Sequence, residues 1–159
     1  MSQAFFQESS APRGGLRVKR FDALQPFALL ALRAALALIF FTHGYPKLAG
    51  ASSGGVQFFI QHGMPGWFFY LAGVLEVFGG VLLLLGLFTR PAAVLLSIEM
   101  AVAIWKVHFA KGYLAVHEYE FPLALCVACL ALASVGPGLL SLDQPLFGNK
   151  SGASRNSKK

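Results

Sequence analysis

Three ionisable residues interrupt long apolar stretches of this chain: Arg33, Glu76 and Glu99. A charge at the centre of a membrane helix costs about 2.5–3.5 kcal/mol on insertion scales, so each should face protein or water rather than lipid. One guanidinium can pair fully with one carboxylate, which leaves the second carboxyl without a full partner in a low dielectric. Such a carboxyl can carry a proton or hydrogen-bond a polar ligand. His43, Lys47 and Lys106 lie toward one end of the same stretches and could line the mouth of that site. Lys106 follows Glu99 by seven residues, which returns to the same face of an α-helix, so it lines the outer part of the same cavity or simply snorkels to the interface. The alternative is that the buried Arg–Glu–Glu set only fixes helix register.

Two further constellations are of types that can carry chemistry. Cys126 and Cys129 form a C-x-x-C pair. One reading is redox; the other is a small-residue packing seam with Ala133 and Gly136. The sequence holds two cysteines in all, so no further thiol is present to relay electrons, and packing is the preferred reading. The four histidines, His43, His62, His108 and His117, fall on one side of the apolar stretches. His43 with His108 is the best pair for a haem, but no close metal-ligand spacing occurs, and no metal is expected. Glu118 and Glu120 read as solvated charges near a helix start. Arg90-Pro91 reads as a turn with proline at the start of a helix, or as a contact for lipid head groups. Nothing resembles a nucleotide loop or a Ser-His-Asp order.

These residues need elements that can hold them. The chain has 159 residues, 56% hydrophobic and 13% charged, and its mean hydropathy is +0.62. That is about half the charge of an ordinary soluble domain and excludes a disordered or collagen-like chain. Four segments, near 23–42, 67–88, 91–110 and 121–142, approach the ~20 apolar residues that a membrane-crossing helix requires. Backbone groups in lipid must bond within their own segment, so an open chain crosses as helices. The expected fold is an all-α integral membrane four-helix bundle over 21–147. Basic tails at 1–20 and 148–159 are expected to be disordered.

Orientation follows from lysine and arginine. Arg13, Arg17, Lys19, Arg20, Arg90, Lys150, Arg155, Lys158 and Lys159 fall on one side; Lys47, Lys111 and Lys106 fall on the other. Both termini are therefore expected in the cytoplasm. The net charge of +6 is read as this topology signal and not as a nucleic-acid footprint. The first apolar run is too long for a signal peptide and carries Arg33, so it is read as an uncleaved span. Val56–Ile60, between glycines in the first outer loop, is expected to form a short interfacial helix.

Helical spacing groups the charges with small residues. Arg33, Ala37 and Gly44 share one stripe; Gly73, Glu76 and Gly80 share a second; Ala92, Leu96, Glu99, Ala103 and Lys106 share a third. At 1.5 Å per residue the three charges lie roughly 12–18 Å from the inner ends of their segments. The expectation is one mid-membrane network, with Arg33 between Glu76 and Glu99.

The run from Arg33 through Thr42-His43-Gly44-Tyr45-Pro46-Lys47-Leu48 resembles the first span of the DoxX family. So do Gly63-Met64-Pro65, Glu76-Val77-Phe78-Gly79-Gly80, Leu85-Gly86-Leu87-Phe88-Thr89-Arg90-Pro91 and the stretch around Glu99. The resemblance covers about residues 25–142. It implies a small four-helix protein of a bacterial or archaeal inner membrane, with Arg33, Gly44, Lys47, Glu76, Gly80, Gly86 and Arg90 as motif residues. Members include small subunits of quinone-linked oxidation systems. The expected function is therefore an accessory subunit of a membrane redox complex, with quinone as the ligand and a redox protein or a second copy as partner. A non-catalytic scaffold and a carrier of a small amphipathic molecule are the alternatives. The sequence names no substrate and no reaction.

Overall fold

A computed structural model of the chain describes residues 24–50, 52–108 and 116–147. The tails expected at 1–20 and 148–159, and Lys111, lie outside the described residues.

Helix α1 spans Gln25–Leu48, with Pro26 in its first turn, where a missing N–H costs nothing. It runs six residues further than hydropathy suggested and carries Pro46 in its last turns. The extension places Gly44 and Lys47 on a rigid helix instead of a loop. The short α2, Gly55–Gln61, is the expected interfacial helix, and it leans on the bundle through Phe59 against Phe69, ring centroids 5.7 Å apart.

Helix α3 spans Trp67–Leu85 and stops at Gly86, whose φ of +68° is the left-handed conformation of a helix C-cap. Leu87 N–H donates to the Leu82 carbonyl at 3.0 Å, closing that cap. Phe88 turns the chain straight into α4, Thr89–Ala103. The last expected turns of this segment are not α-helical: Ile104–His108 forms a π-helix. Helix α5 spans Val116–Val135 and ends at Gly136, with φ of +93°; α6 is a single turn, Asp143–Phe147.

Helix α1 packs along α3, α4 along α5, and α3 touches α4, while α1 and α5 meet only marginally. The core joins Leu36, Phe40, Leu83, Leu96, Leu125 and Leu132. Small residues set the closest approach: a Cβ on Gly44 would lie 2.7 Å from Glu76 Cβ and 2.9 Å from the Gly73 carbonyl oxygen. The outer surface is apolar, with Phe27, Leu38, Phe78, Ile98 and Val127 all more than half exposed. A continuous apolar exterior of this kind marks contact with lipid. Helices α1, α3 and α5 are each long and apolar enough to cross a membrane. The protein is an all-α integral membrane protein. Thr89–Ala103 and its π extension occupy the place of the remaining expected span.

Candidate functional site

The bundle has two ends. The loop end carries α2 and the end of the π-helix Ile104–His108; the turn end carries Gly86–Phe88 and the described residues that follow Gly136. Each end holds a different part of the polar set expected at mid-membrane.

At the loop end Lys47 Nζ forms an ion pair with Glu76 Oε2. The Glu76 side chain is 5% exposed and that of Lys47 20%, so the pair is buried on the carboxylate side and open on the ammonium side. Gly73, Glu76 and Gly80 are all buried, as their shared stripe requires. Glu99 arrives from α4 and interacts electrostatically with both Glu76 and Lys47. Glu99 Oε2 is buried and has no hydrogen-bond partner among the described residues. His43 interacts electrostatically with Glu76 from its place one turn before Lys47 on α1. Its Nδ1 lies 2.8 Å from the Ile39 carbonyl oxygen, and its ring lies 6.1 Å from Phe121 of α5. The arrangement sets two carboxyls against one ammonium. A buried cluster of that composition reaches neutrality only by holding a proton or a cationic group.

Arg33 is not part of it, contrary to the expected Arg33–Glu76–Glu99 network. At 1% exposure it is among the most buried residues, but it points to the turn end. Its Nε donates to the Leu83 carbonyl at 2.8 Å and its Nη2 to the Leu84 carbonyl at 2.9 Å. Nη1 donates to the carbonyls of Pro137 at 3.0 Å and Leu140 at 2.6 Å. The physical reason is twofold. Side chains on a helix lean toward its N-terminus, which carries the guanidinium of Arg33 away from Glu76. The last carbonyls of α3 have no partners within their own helix, and an arginine fork supplies several donors at once. Asp143 completes this end: Oδ1 accepts from Phe88 N–H at 2.7 Å and Oδ2 from Thr89 N–H at 2.9 Å. A side chain at Gly86 would run into the Arg33 guanidinium, which accounts for a glycine there beyond its φ. Arg90, exposed at the start of α4, lies against Gly136, where a Cβ would come 3.1 Å from Nη2.

Lys106 is held apart from the cluster. The π-helix begins at Ile104, between Glu99 and Lys106, and its wider turn breaks the seven-residue return to one face. Lys106 Nζ instead sits 4.7 Å from the centre of the Trp105 ring. Gly80 lies against α1, with a would-be Cβ 3.1 Å from the Ala37 carbonyl oxygen. Cys129 is fully buried, and the thiol of Cys126 is 3.3 Å from Ser97 Oγ, so both cysteines act as packing between α4 and α5. His117 pairs with Glu120 at 3.2 Å on the surface. The side chain of His108 lies outside the described residues.

The Lys47–Glu76 pairing was not expected, although its signal was present. Gly44 faces Glu76 and Gly73 faces Lys47 across the antiparallel helix pair, a Cβ on each falling 2.7 Å from Glu76 Cβ and 3.0 Å from Lys47 Cβ, so each glycine makes room for the charged side chain of the facing helix. Asp143 gave no such signal, because its partners are backbone N–H groups far away in the chain.

A helical membrane bundle with a buried lysine–glutamate pair at one end and an arginine clamp at the other is the class that fold and site define. Residues 28–109 match the model of the DoxX family. The chain is 36% identical over 124 residues to "Putative oxidoreductase CatD" of Bacillus subtilis, an alignment covering 77% of this chain and 90% of that protein. It is 36% identical over 138 residues to "Inner membrane protein YphA" of Escherichia coli, covering 81% and 97%. It is 33% identical over 134 residues to "Uncharacterized membrane protein Rv3486" of Mycobacterium tuberculosis, covering 76% and 82%. No solved structure matches the chain at a comparable level. The chain belongs to the DoxX family.

Proposed function

We propose that this protein is a four-span accessory subunit of a quinone-linked redox system in a bacterial inner membrane, with both termini in the cytoplasm. The observation that carries the reading is the buried, unpartnered Glu99 Oε2 beside the Lys47–Glu76 pair. Quinone chemistry needs what this cluster offers. Lys47 has three N–H donors for a quinone carbonyl, and the carboxyls can exchange protons with the reduced head group. The lysine is the more open member, so a head group meets it first, from the loop end. The printed name of the Bacillus relative supports an oxidoreductase setting, and that of the Escherichia relative supports the inner membrane. The turn-end clamp, in this reading, only holds the bundle.

The test is purification from native membranes in mild detergent, followed by solvent extraction and quinone analysis. Quinone should accompany the wild-type protein near stoichiometrically and be lost, per mole of folded protein recovered, from Lys47→Met and from Glu99→Gln. A protein free of quinone that still co-purifies with a membrane dehydrogenase would favour the scaffold reading. Equal quinone in all three would place the head group elsewhere.

A further inference from the structure

His43 stands on α1 beside the cluster, on the side where α1 and α5 meet only marginally. The inner end of the α1–α5 side is held by Arg33, whose Nη1 donates to two carbonyls following α5, and by Leu29 against Gly138. At its loop end the His43 ring meets the Phe121 ring, centroids 6.1 Å apart. The ring's hydrogen bond also settles its chemistry. A carbonyl only accepts, so the Nδ1 that faces the Ile39 oxygen carries the hydrogen. Nε2 is then the basic nitrogen, and no hydrogen bond to it is seen among the described residues. His43 is exposed, while Glu76, with which it interacts, is buried.

We propose that His43 is the proton-transferring group between the Lys47–Glu76–Glu99 cluster and water at the loop end, acting through Nε2. This deepens the proton-handling part of the function proposed above and rests on it. The groups around His43 leave it that role. Glu76 of α3 interacts with it electrostatically, Lys47 stands one turn further along its own helix, and these two are paired. Glu99 of α4 is coupled to both. From α5 comes the Phe121 ring, while His117 and Glu120 just before it are engaged with each other. Lys106 is held over Trp105. In the step, a carboxyl O–H bond of the cluster breaks and an Nε2–H bond forms, directly or through one water. The carboxyl keeps the electron pair as carboxylate. The imidazolium, still held at Nδ1–H by Ile39, then gives the Nε2 proton to water and returns to its neutral form. No redox partner is required for this exchange.

The experiment follows hydrogen–deuterium exchange of the cluster carboxyl by infrared spectroscopy, on the full chain in lipid nanodiscs mixed rapidly into deuterated buffer. The carboxyl band is assigned by its loss in Glu99→Gln or Glu76→Gln. His43→Ala should slow exchange about a hundredfold, the low side of what a positioned proton-transfer group contributes. Free imidazole should restore much of the rate. His43→Asn, which can still donate to the Ile39 carbonyl but lacks the base, should also be slow and should fold as wild type. Wild-type exchange in His43→Ala, slow exchange that imidazole does not rescue, fast exchange in His43→Asn, or no exchanging carboxyl at all would each overturn the proposal. The measurement contains no quinone, so failure of the quinone reading leaves its outcome intact.

Discussion

Replacing Arg33 tests the reassignment of the most buried cation among the described residues. Its guanidinium donates four hydrogen bonds, at 2.6–3.0 Å, to carbonyls of Leu83, Leu84, Pro137 and Leu140. Bonds to a charged group contribute about 1.5–3 kcal/mol each, but they do not add in full here, because carbonyls at the turn end regain some water. We expect Arg33→Leu to cost about 3–5 kcal/mol, comparable with breaking a buried ion pair. Arg33→Lys keeps the charge but has three donors on a single nitrogen and no planar fork. It must lose at least one of the four bonds, for about 1.5–3 kcal/mol. Reversible denaturation in mixed micelles, followed by circular dichroism, gives both values. The decisive measurement is the double variant with Glu76→Gln. Leu83 is seven residues from Glu76, roughly 10 Å along α3, so the two effects should add to within about 0.5 kcal/mol. A fully stable Arg33→Lys, or recovery of Arg33→Leu by Glu76→Gln, would refute the clamp and restore the carboxylate network.

Lys47→Met should destabilise by about 3–5 kcal/mol because it leaves Glu76 buried without its cation, and Glu76→Gln in the same chain should recover part of that loss; additive losses in the same denaturation assay would argue against a buried pair. Gly86→Ala meets both a φ of +68° and the Arg33 guanidinium, so it should cost more than the roughly 1–2 kcal/mol of left-handed backbone alone; unchanged thermal stability would be inconsistent with this packing. An alkaline phosphatase fused after Lys159 should be inactive in intact cells, whereas one inserted in the 49–54 loop should be active; the opposite pattern would reverse the proposed orientation.

Residue types along the chain were enough for the membrane class, the all-helical architecture and most helix positions. Transfer into lipid is a local property of each side chain and each backbone group, and it needs no knowledge of neighbours. The stripes of Gly44, of Gly73, Glu76 and Gly80, and of Ala92 and Leu96 were legible for the same reason: helical periodicity is set by covalent geometry. The burial of Arg33 and Glu76 was legible too, because lipid excludes charge. Their partners were not. Three ionisable groups at similar depth suggested one network, but depth along a helix ignores where a side chain leans, and the lean of Arg33 toward the start of α1 carries it to the turn end. The acceptors it finds there are backbone carbonyls, which every residue has and no sequence pattern marks. The π-turn at Ile104–His108 likewise moved Lys106 off the face that an uninterrupted α-helix would have given it. Only the packing of α1 on α3 decided that Lys47, one turn beyond Gly44, is the cation that reaches Glu76.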